Sequence, residues 1–333
     1  MMNCKAYHCR KMQLKKMWIP IVVLLLLLVQ KMYQVICMGQ SSPYCSFRSI
    51  GPRPCGCKQC ISEKGVSAWF DERFNSSVNP LLTAQNPEIP VNVQRWWLKL
   101  QGSNNEGQVQ EALDKLFAEI PAEDLYSARG ETQCRTCAVV GNSGNLKGSK
   151  YGERIDSHHF VLRMNGAKIA GFEEDVGSKT THHFMYPESA VNLEPGVHLV
   201  LISFKPQDLK WIASAFSTGE LKFTYMKVKQ FIKADKDKVL IFNPSFLKYV
   251  HENWIKRHGK YPSTGMLALF FAIHICDEVS VFGYGADSNG DWHHYWERNK
   301  FAGAFRRTRV HNAEFELDLI RQLVHEGKVT YYR

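Results

Sequence analysis

CAVVGNSGNLKG, residues 137–148, decides the fold. Ala138-Val139-Val140 is a short, uninterrupted apolar run, the mark of a strand buried on both faces. Gly141-Asn142-Ser143-Gly144-Asn145 ends it with turn residues. A second strand is predicted at Phe160–Met164, stopping at Asn165-Gly166. His198–Phe204, Val239–Phe242 and Val279–Phe282 repeat the pattern, and helical stretches separate several of them. Alternating strands and helices predict a mostly parallel sheet with helices on both faces. Ligands of such sheets sit beyond the carboxyl ends of the strands. The Asn142 loop and the Gly283-Tyr284-Gly285 loop both fall on that edge. A glycine-rich turn after a strand lets a backbone approach phosphate, and the next helix offers N–H groups. Yet the spacing matches neither G-x-G-x-x-G nor a P-loop, so a plain tight turn is an equal reading.

Upstream, residues 61–130 carry a mostly helical pattern. It is clearest at Gln108–Glu119, where Val109, Leu113, Leu116 and Phe117 recur at helical spacing. Residues 39–60 are rich in Ser, Pro, Gly and Cys and read as a stem. Before them stands WIPIVVLLLLLV, residues 18–29, preceded by Lys5, Arg10, Lys11, Lys15 and Lys16. Its apolar core is shorter than the roughly 20 residues of a span, but MYQVICM extends it. The basic flank keeps the N-terminus cytosolic. The expectation is a cytosolic tail at 1–16, a transmembrane signal anchor at 17–38, a stem at 39–60 and a lumenal catalytic domain at 61–333. A cleaved signal peptide has an apolar region this short, but no clear small-x-small cleavage site follows.

The 333 residues carry a formal charge of +10. That balance suits anionic partners. The basic residues of the body are dispersed, with no compact Lys/Arg block, which argues against nucleic acid. Of ten cysteines, Cys45, Cys55, Cys57, Cys60, Cys134, Cys137 and Cys276 fall on the lumenal side of the anchor. An oxidising lumen makes disulfides the default, and spacing leaves the pairing open. In a reducing compartment CGCKQC with CRTC is a fair zinc pattern. Asn75-Ser76-Ser77 is a glycosylation sequon, consistent with a lumenal surface.

Further stretches carry chemistry. Tyr261-Pro262-Ser263-Thr264-Gly265 opens the apolar helix MLALFFAIHI, with Ser263 or Thr264 as cap and a helix start that attracts anions. Trp292-His293-His294-Tyr295-Trp296-Glu297 crowds aromatic and imidazole groups that can stack on a sugar or base and supply an acid. His311 precedes Asn312, a candidate cap for a helix whose apolar face is read as Leu317, Ile320 and Val324. The positive end of that helix disfavours imidazolium and keeps the ring neutral, as a general base requires. Asp235-Lys236-Asp237 has the form of a metal-binding D-x-D, but its lysine neighbours mark it as a solvated turn.

Taken in order, these pieces resemble the animal sialyltransferases, glycosyltransferase family 29. The large motif is similar to Cys137-Ala-Val-Val-Gly-Asn142-Ser-Gly through Arg163-Met-Asn165 to Asp175-Val-Gly-Ser-Lys-Thr180. The small motif resembles Tyr261-Pro-Ser-Thr-Gly265 through Cys276 to Gly283-Tyr-Gly285. His294-Tyr-Trp-Glu297 matches the third, and His311 with Glu316 the very small motif. The phrases DVGSKTTHH, YPESA, GKYPSTG and DWHHYWE resemble the subgroup that links sialic acid α2,3 to galactose of Galβ1-3GalNAc.

The resemblance implies a single Rossmann-like α/β domain of variant GT-A-like type. It implies transfer of sialic acid from CMP-N-acetylneuraminate to galactose-terminated O-glycans and glycolipids, by inverting displacement with no metal or other cofactor. Asn142, Asn165, Tyr186, Tyr225, Ser263, Gly265 and Gly285 would bind the donor, and Gln101 and Tyr261 the acceptor. His311 would be the base, with His294 assisting the departing phosphate. The disulfides would be Cys55–Cys60, Cys57–Cys134 and Cys137–Cys276, leaving Cys45 unpaired. The address would be the Golgi membrane as a single-pass type II protein, with shedding by stem cleavage and a homodimer left open. Two rivals remain at this point. A nicotinamide oxidoreductase would need fingerprint glycine spacing, and a sugar-binding membrane protein gives no reason for a histidine at a helix start.

Overall fold

A computed structural model of the chain describes residues 24–25, 28, 31, 55–102, 105, 107–126, 133–287, 289–298 and 310–333. Of the expected anchor only Leu24, Leu25, Leu28 and Lys31 belong to this set, each helical and exposed; the rest of 17–38, with Cys37 and Cys45, lies outside the described residues. Among the described residues no helix is long and apolar enough to cross a membrane. Arg53–Arg333 forms one compact unit, and Met1–Pro52 is a separate one.

The larger unit is built on an eight-stranded sheet. Its strands are β1 Leu81–Leu82, β2 Thr136–Val140, β3 Phe160–Met164, β4 His182–Met185, β5 His198–Leu201, β6 Val239–Phe242, β7 Glu278–Phe282 and β8 Thr330–Tyr332. The spatial order is β1-β6-β5-β4-β3-β2-β7-β8. All pairings are parallel except β1 with β6, at the edge. From β2 the chain builds outward through β3, β4, β5 and β6 on one side, and β7 then lies on β2's other side. The order therefore reverses between β2 and β7, which opens a crevice at their carboxyl ends.

Five longer helices cover the sheet: α1 Val91–Lys99, α2 Gly107–Glu119, α3 Pro206–Ala215, α4 Thr264–Ile275 and α5 Ala313–His325. α4 is apolar all round because it is buried all round, with β2, β3, β4 and β7 among its neighbours. Ser263 Oγ accepts from the Met266 N–H (3.2 Å) and caps it. Asn312 Oδ1 caps α5 by accepting from the Phe315 N–H (3.1 Å).

Several expectations are corrected. The stretch 61–130 holds β1 as well as helices, because Leu81 and Leu82 pair with Phe242 and Ile241. The strand at 198–204 stops at Leu201: the Ile202 N–H still bonds Met185 O (2.9 Å), but the Phe204 N–H turns to Asp208 Oδ2 (2.8 Å). The α5 stripe is Leu319, Ile320 and Leu323, while Val324 is exposed and Leu317 faces a cleft. The helix expected to follow the glycine loop is only the short turn Gly144–Leu146, and the loop amides are already engaged. The Gly141 N–H donates to Phe282 O (2.8 Å), Ser143 N–H to Gly283 O (3.0 Å) and Gly144 N–H to His293 O (2.7 Å). The loop is a tight turn rather than a phosphate cradle.

Disulfides join Cys55 to Cys60, Cys57 to Cys134 and Cys137 to Cys276. The zinc reading of these cysteines therefore fails, since every one of the six is in a disulfide. The first two bridges form a small buried cluster at the start of the unit, and the third ties β2 to the end of α4.

Candidate active site

At the reversal point the β2 and β7 loops lie back to back. A Cβ on Gly141 would sit 2.2 Å from Gly283 O, so only glycine permits this approach. Gly285, at φ +84°, turns the second loop away after Tyr284. Asn142 Nδ2 donates to Met164 O (3.1 Å), which holds the ends of β2 and β3 together. Asn165 follows β3 at φ +53°, a conformation asparagine tolerates. Among the described residues, Asn142 Oδ1 and Asn165 Oδ1 are buried acceptors without a protein partner. Both residues line a cleft of about 330 Å³. Buried amide oxygens of this kind suit the hydroxyl and amine donors of a nucleoside or sugar.

The opposite wall comes from the starts of α4 and α5. The Ser263 N–H donates to Glu316 Oε1 (2.8 Å), fixing the two helix starts to each other. Glu316 is buried, and burial pushes its carboxyl up to about 7, although bonds to Ser263 oppose the rise. Gly265 leaves room for Tyr284, whose hydroxyl donates to Gly265 O (2.8 Å). His311 Nδ1–H donates to Tyr261 O (2.8 Å). That bond puts the proton on Nδ1 and the lone pair on Nε2. Burial holds the imidazole below its ordinary pKa, partly offset by the Tyr261 bond, so the ring is neutral near neutral pH.

Three tyrosines stand over the cleft beyond β4 and β5. Burial raises the hydroxyl pKa values of Tyr186 and Tyr261, and in Tyr225, whose side chain is largely exposed, partial desolvation lifts the hydroxyl to about 12, with Glu188 adding to the rise in each case. All three keep their protons and can donate. The Tyr261 hydroxyl is hydrogen-bonded to the Gln101 side chain, just past α1. His294 Nδ1–H donates to Glu297 Oε1 (3.1 Å), and its ring stacks on Trp296 at 4.5 Å. A bridge between Ser143 and His294 holds this segment against the β2 loop.

Every catalytic, donor and acceptor residue named from the sequence therefore lines one cleft. Others named within the motifs do not. Arg163 is buried and donates to the carbonyls of Val176, Gly177 and Lys179 and to Thr180 Oγ1, so it braces the motif's far end. Asp175 likewise serves the backbone, accepting the N–H groups of Gly148 and Lys150. Asp235 Oδ2 accepts from the Gly196 N–H (2.7 Å), outside the cleft. Asn75 is exposed, with its Oδ1 accepting from the Ser77 N–H (2.9 Å). Sequence reasoning gave no role to Glu188 and Lys205, which also line the cleft. Glu188 lies in the YPESA phrase and Lys205 stands three residues before its partner Asp208, but the contacts of Glu188 with Lys205 and Thr224 join residues 17 and 36 apart and leave no local signal.

A family model described as glycosyltransferase family 29 (sialyltransferase) matches residues 81–328. The CMP-N-acetylneuraminate-beta-galactosamide-alpha-2,3-sialyltransferase 2 of Mus musculus is 55% identical over 281 residues, 84% of this chain and 80% of the relative. The corresponding sialyltransferase 1 of Gallus gallus is 55% identical over 282 residues, 84% of this chain and 82% of the relative. That of Homo sapiens is 50% identical over 287 residues, 86% and 84% of the two chains. Among solved structures, a mammalian sialyltransferase is 49% identical and superposes with a TM-score of 0.78, covering 84% of this chain and 99% of its own. The mammalian sialyltransferase in complex with Gal-beta-1-3GalNAc-ortho-nitrophenol gives 48% identity and a TM-score of 0.76, with the same coverage.

Proposed function

The chain belongs to glycosyltransferase family 29 and is a sialyltransferase, and from that premise we propose that it moves sialic acid from CMP-N-acetylneuraminate to the 3-hydroxyl of galactose in Galβ1-3GalNAc. The observation that carries the mechanism is His311: a buried ring whose Nδ1 is tied to Tyr261 O, leaving a basic Nε2 among the acceptor and donor residues. In the reaction Nε2 takes the proton of the galactose hydroxyl as its oxygen attacks the anomeric carbon. The bond from that carbon to the phosphate oxygen breaks, and configuration inverts. A positioned base of this kind contributes about 10²–10⁴-fold. Charge collects on the departing cytidine monophosphate. Tyr186, Tyr225, His294 and the first turn of α4 are the donors suited to meet it, without a metal. Asn142 and Asn165 offer their buried oxygens to the nucleoside, and Gln101 with Tyr261 the acceptor contacts.

The reading extends to the address. An anchor at 17–38 behind a basic tail, an exposed sequon at Asn75 and three formed disulfides support a type II protein of the Golgi membrane with its variant GT-A-like domain in the lumen. Labelled donor offered to Galβ1-3GalNAc, Galβ1-4GlcNAc and lactosylceramide in excess chelator tests the proposal. Transfer to the first, at the 3-hydroxyl, is expected. Preference for another acceptor overturns the acceptor assignment, and activity that returns only with a divalent cation overturns the metal-free mechanism.

A further inference from the structure

Among the described residues lining the cleft, Lys205 is the one Lys or Arg. Its Nζ lies 2.6 Å from Asp208 Oδ1 and 3.3 Å from Glu188 Oε1. The three side chains are 14%, 0% and 4% exposed. A buried pair needs one acid for one base. Here a second carboxylate is buried as well, a costly arrangement unless it serves something else. Glu188 Oε1 also accepts from Thr224 Oγ1. The next residue, Tyr225, lays its ring over Lys205 Nζ at 4.9 Å. Two tethers thus run from the ion group to consecutive residues.

Among the described residues, the segment carrying Thr224 and Tyr225 has little else to hold its tip. Residues 222–228 fold back on themselves through the Thr224 N–H to Met226 O (3.0 Å) and Val228 N–H to Lys222 O (3.0 Å) bonds. Phe223 and Met226 are exposed, and Tyr225 itself is 67% exposed while lining the cleft. A ring so placed gains no fixed position from core packing. We propose that Lys205, held by Glu188 and Asp208, is a positioning residue that aims Tyr225 at the donor phosphate. The inference rests on the sialyl-transfer reading. Fixing a donor group in place before the substrate arrives removes an ordering cost from binding and reaction.

The test is steady-state kinetics with CMP-N-acetylneuraminate as the varied substrate, on Lys205→Met, Lys205→Arg, Thr224→Val, Tyr225→Ala and the Lys205→Met/Tyr225→Ala pair. Lys205→Met is expected to raise the donor KM about 10-fold, the scale of a partly desolvated cation–π contact, with the acceptor KM unchanged. Lys205→Arg, which keeps charge and ring contact, restores most of the loss. Thr224→Val leaves the ion group whole and shifts the donor KM in the same direction. In the Tyr225→Ala background Lys205→Met adds about 2-fold or less, because its route to the donor is gone. Multiplicative losses in the pair, or an unchanged donor KM in Lys205→Met, overturn the proposal. Should Lys205→Met fail to fold, Thr224→Val combined with Tyr225→Ala closes an equivalent cycle: non-additive losses support the tether, and multiplicative losses overturn it. A wild-type protein that does not consume the donor defeats the functional reading instead.

Discussion

Glu316→Gln offers a direct measure of how the two helix starts are balanced. Glu316 stands in the first turn of α5, buried, with Oε1 accepting the Ser263 N–H at 2.8 Å. Burial raises its carboxyl from 4.5 to about 7. The folded state therefore holds the proton more tightly than the unfolded chain does. Its contribution to stability is fully present below pH 4.5, and it is lost as pH rises through about 7. A rise of this size corresponds to about 3 kcal/mol, at 1.36 kcal/mol per unit. Glutamine keeps the volume and the acceptor oxygen but never ionises. Relative to the wild type it should be near-neutral at pH 4.5 and more stable by about 3 kcal/mol above pH 7.5, or roughly 5 °C in Tm for a domain of this size. Thermal melts of both proteins from pH 4.5 to 8, under non-reducing conditions, read the difference and cancel every other titration. Parallel curves across that range would refute the argument that Glu316 is buried against its charge.

His311→Ala should abolish transfer while donor binding by calorimetry stays close to wild type. In the wild type, kcat/KM should fall only below the ordinary imidazole range, because burial depresses the His311 pKa and the neutral ring is the active form; an acid limb at or above 6.5 would contradict this. Gly141→Ala places a Cβ against Gly283 O, backbone against backbone, and should cost about 1–3 kcal/mol in Tm-derived stability together with most of the donor affinity. Cys276→Ser opens a link spanning 139 residues and should destabilise by about 5 kcal/mol in denaturant melts on the chain-entropy model; a loss below about 1 kcal/mol would speak against it.

Much of the architecture was legible because parallel strands buried on both faces are written as unbroken apolar runs. β3 and β6 have the predicted limits, and β2 and β7 each begin earlier, by two residues and by one. β4 escaped notice because HHFM opens with two imidazoles. His182 is buried with both ring nitrogens met, Nδ1 by the Thr181 hydroxyl and Nε2 by that of Tyr126, and with His198 stacked on it at 4.9 Å; Tyr126 and His198 lie 56 and 16 residues away. Edge strands β1 and β8, of two and three residues, are too short to show a period.

For the active site, the resemblance carried by the ordered motifs was enough to name His294, His311, Asn142, Asn165, Tyr186, Tyr225 and Tyr261, which line the cleft, but it gave no role to His293 or Tyr284, which line it too. Local signals report local facts: a run of apolar residues, a cap before a helix, a glycine where a turn must bend. Which surfaces meet is another matter, since it depends on strands distant in sequence becoming neighbours. Only the β2–β7 pairing shows that the glycine loop spends its amides on residues 282, 283 and 293 instead of on a phosphate. Only the packing of α3 beyond β5 brings Lys205 to Glu188 and both to the Tyr225 segment. Burial energies and ion pairing act through space, so the sequence names the chemical groups and the tertiary contacts decide which of them work together.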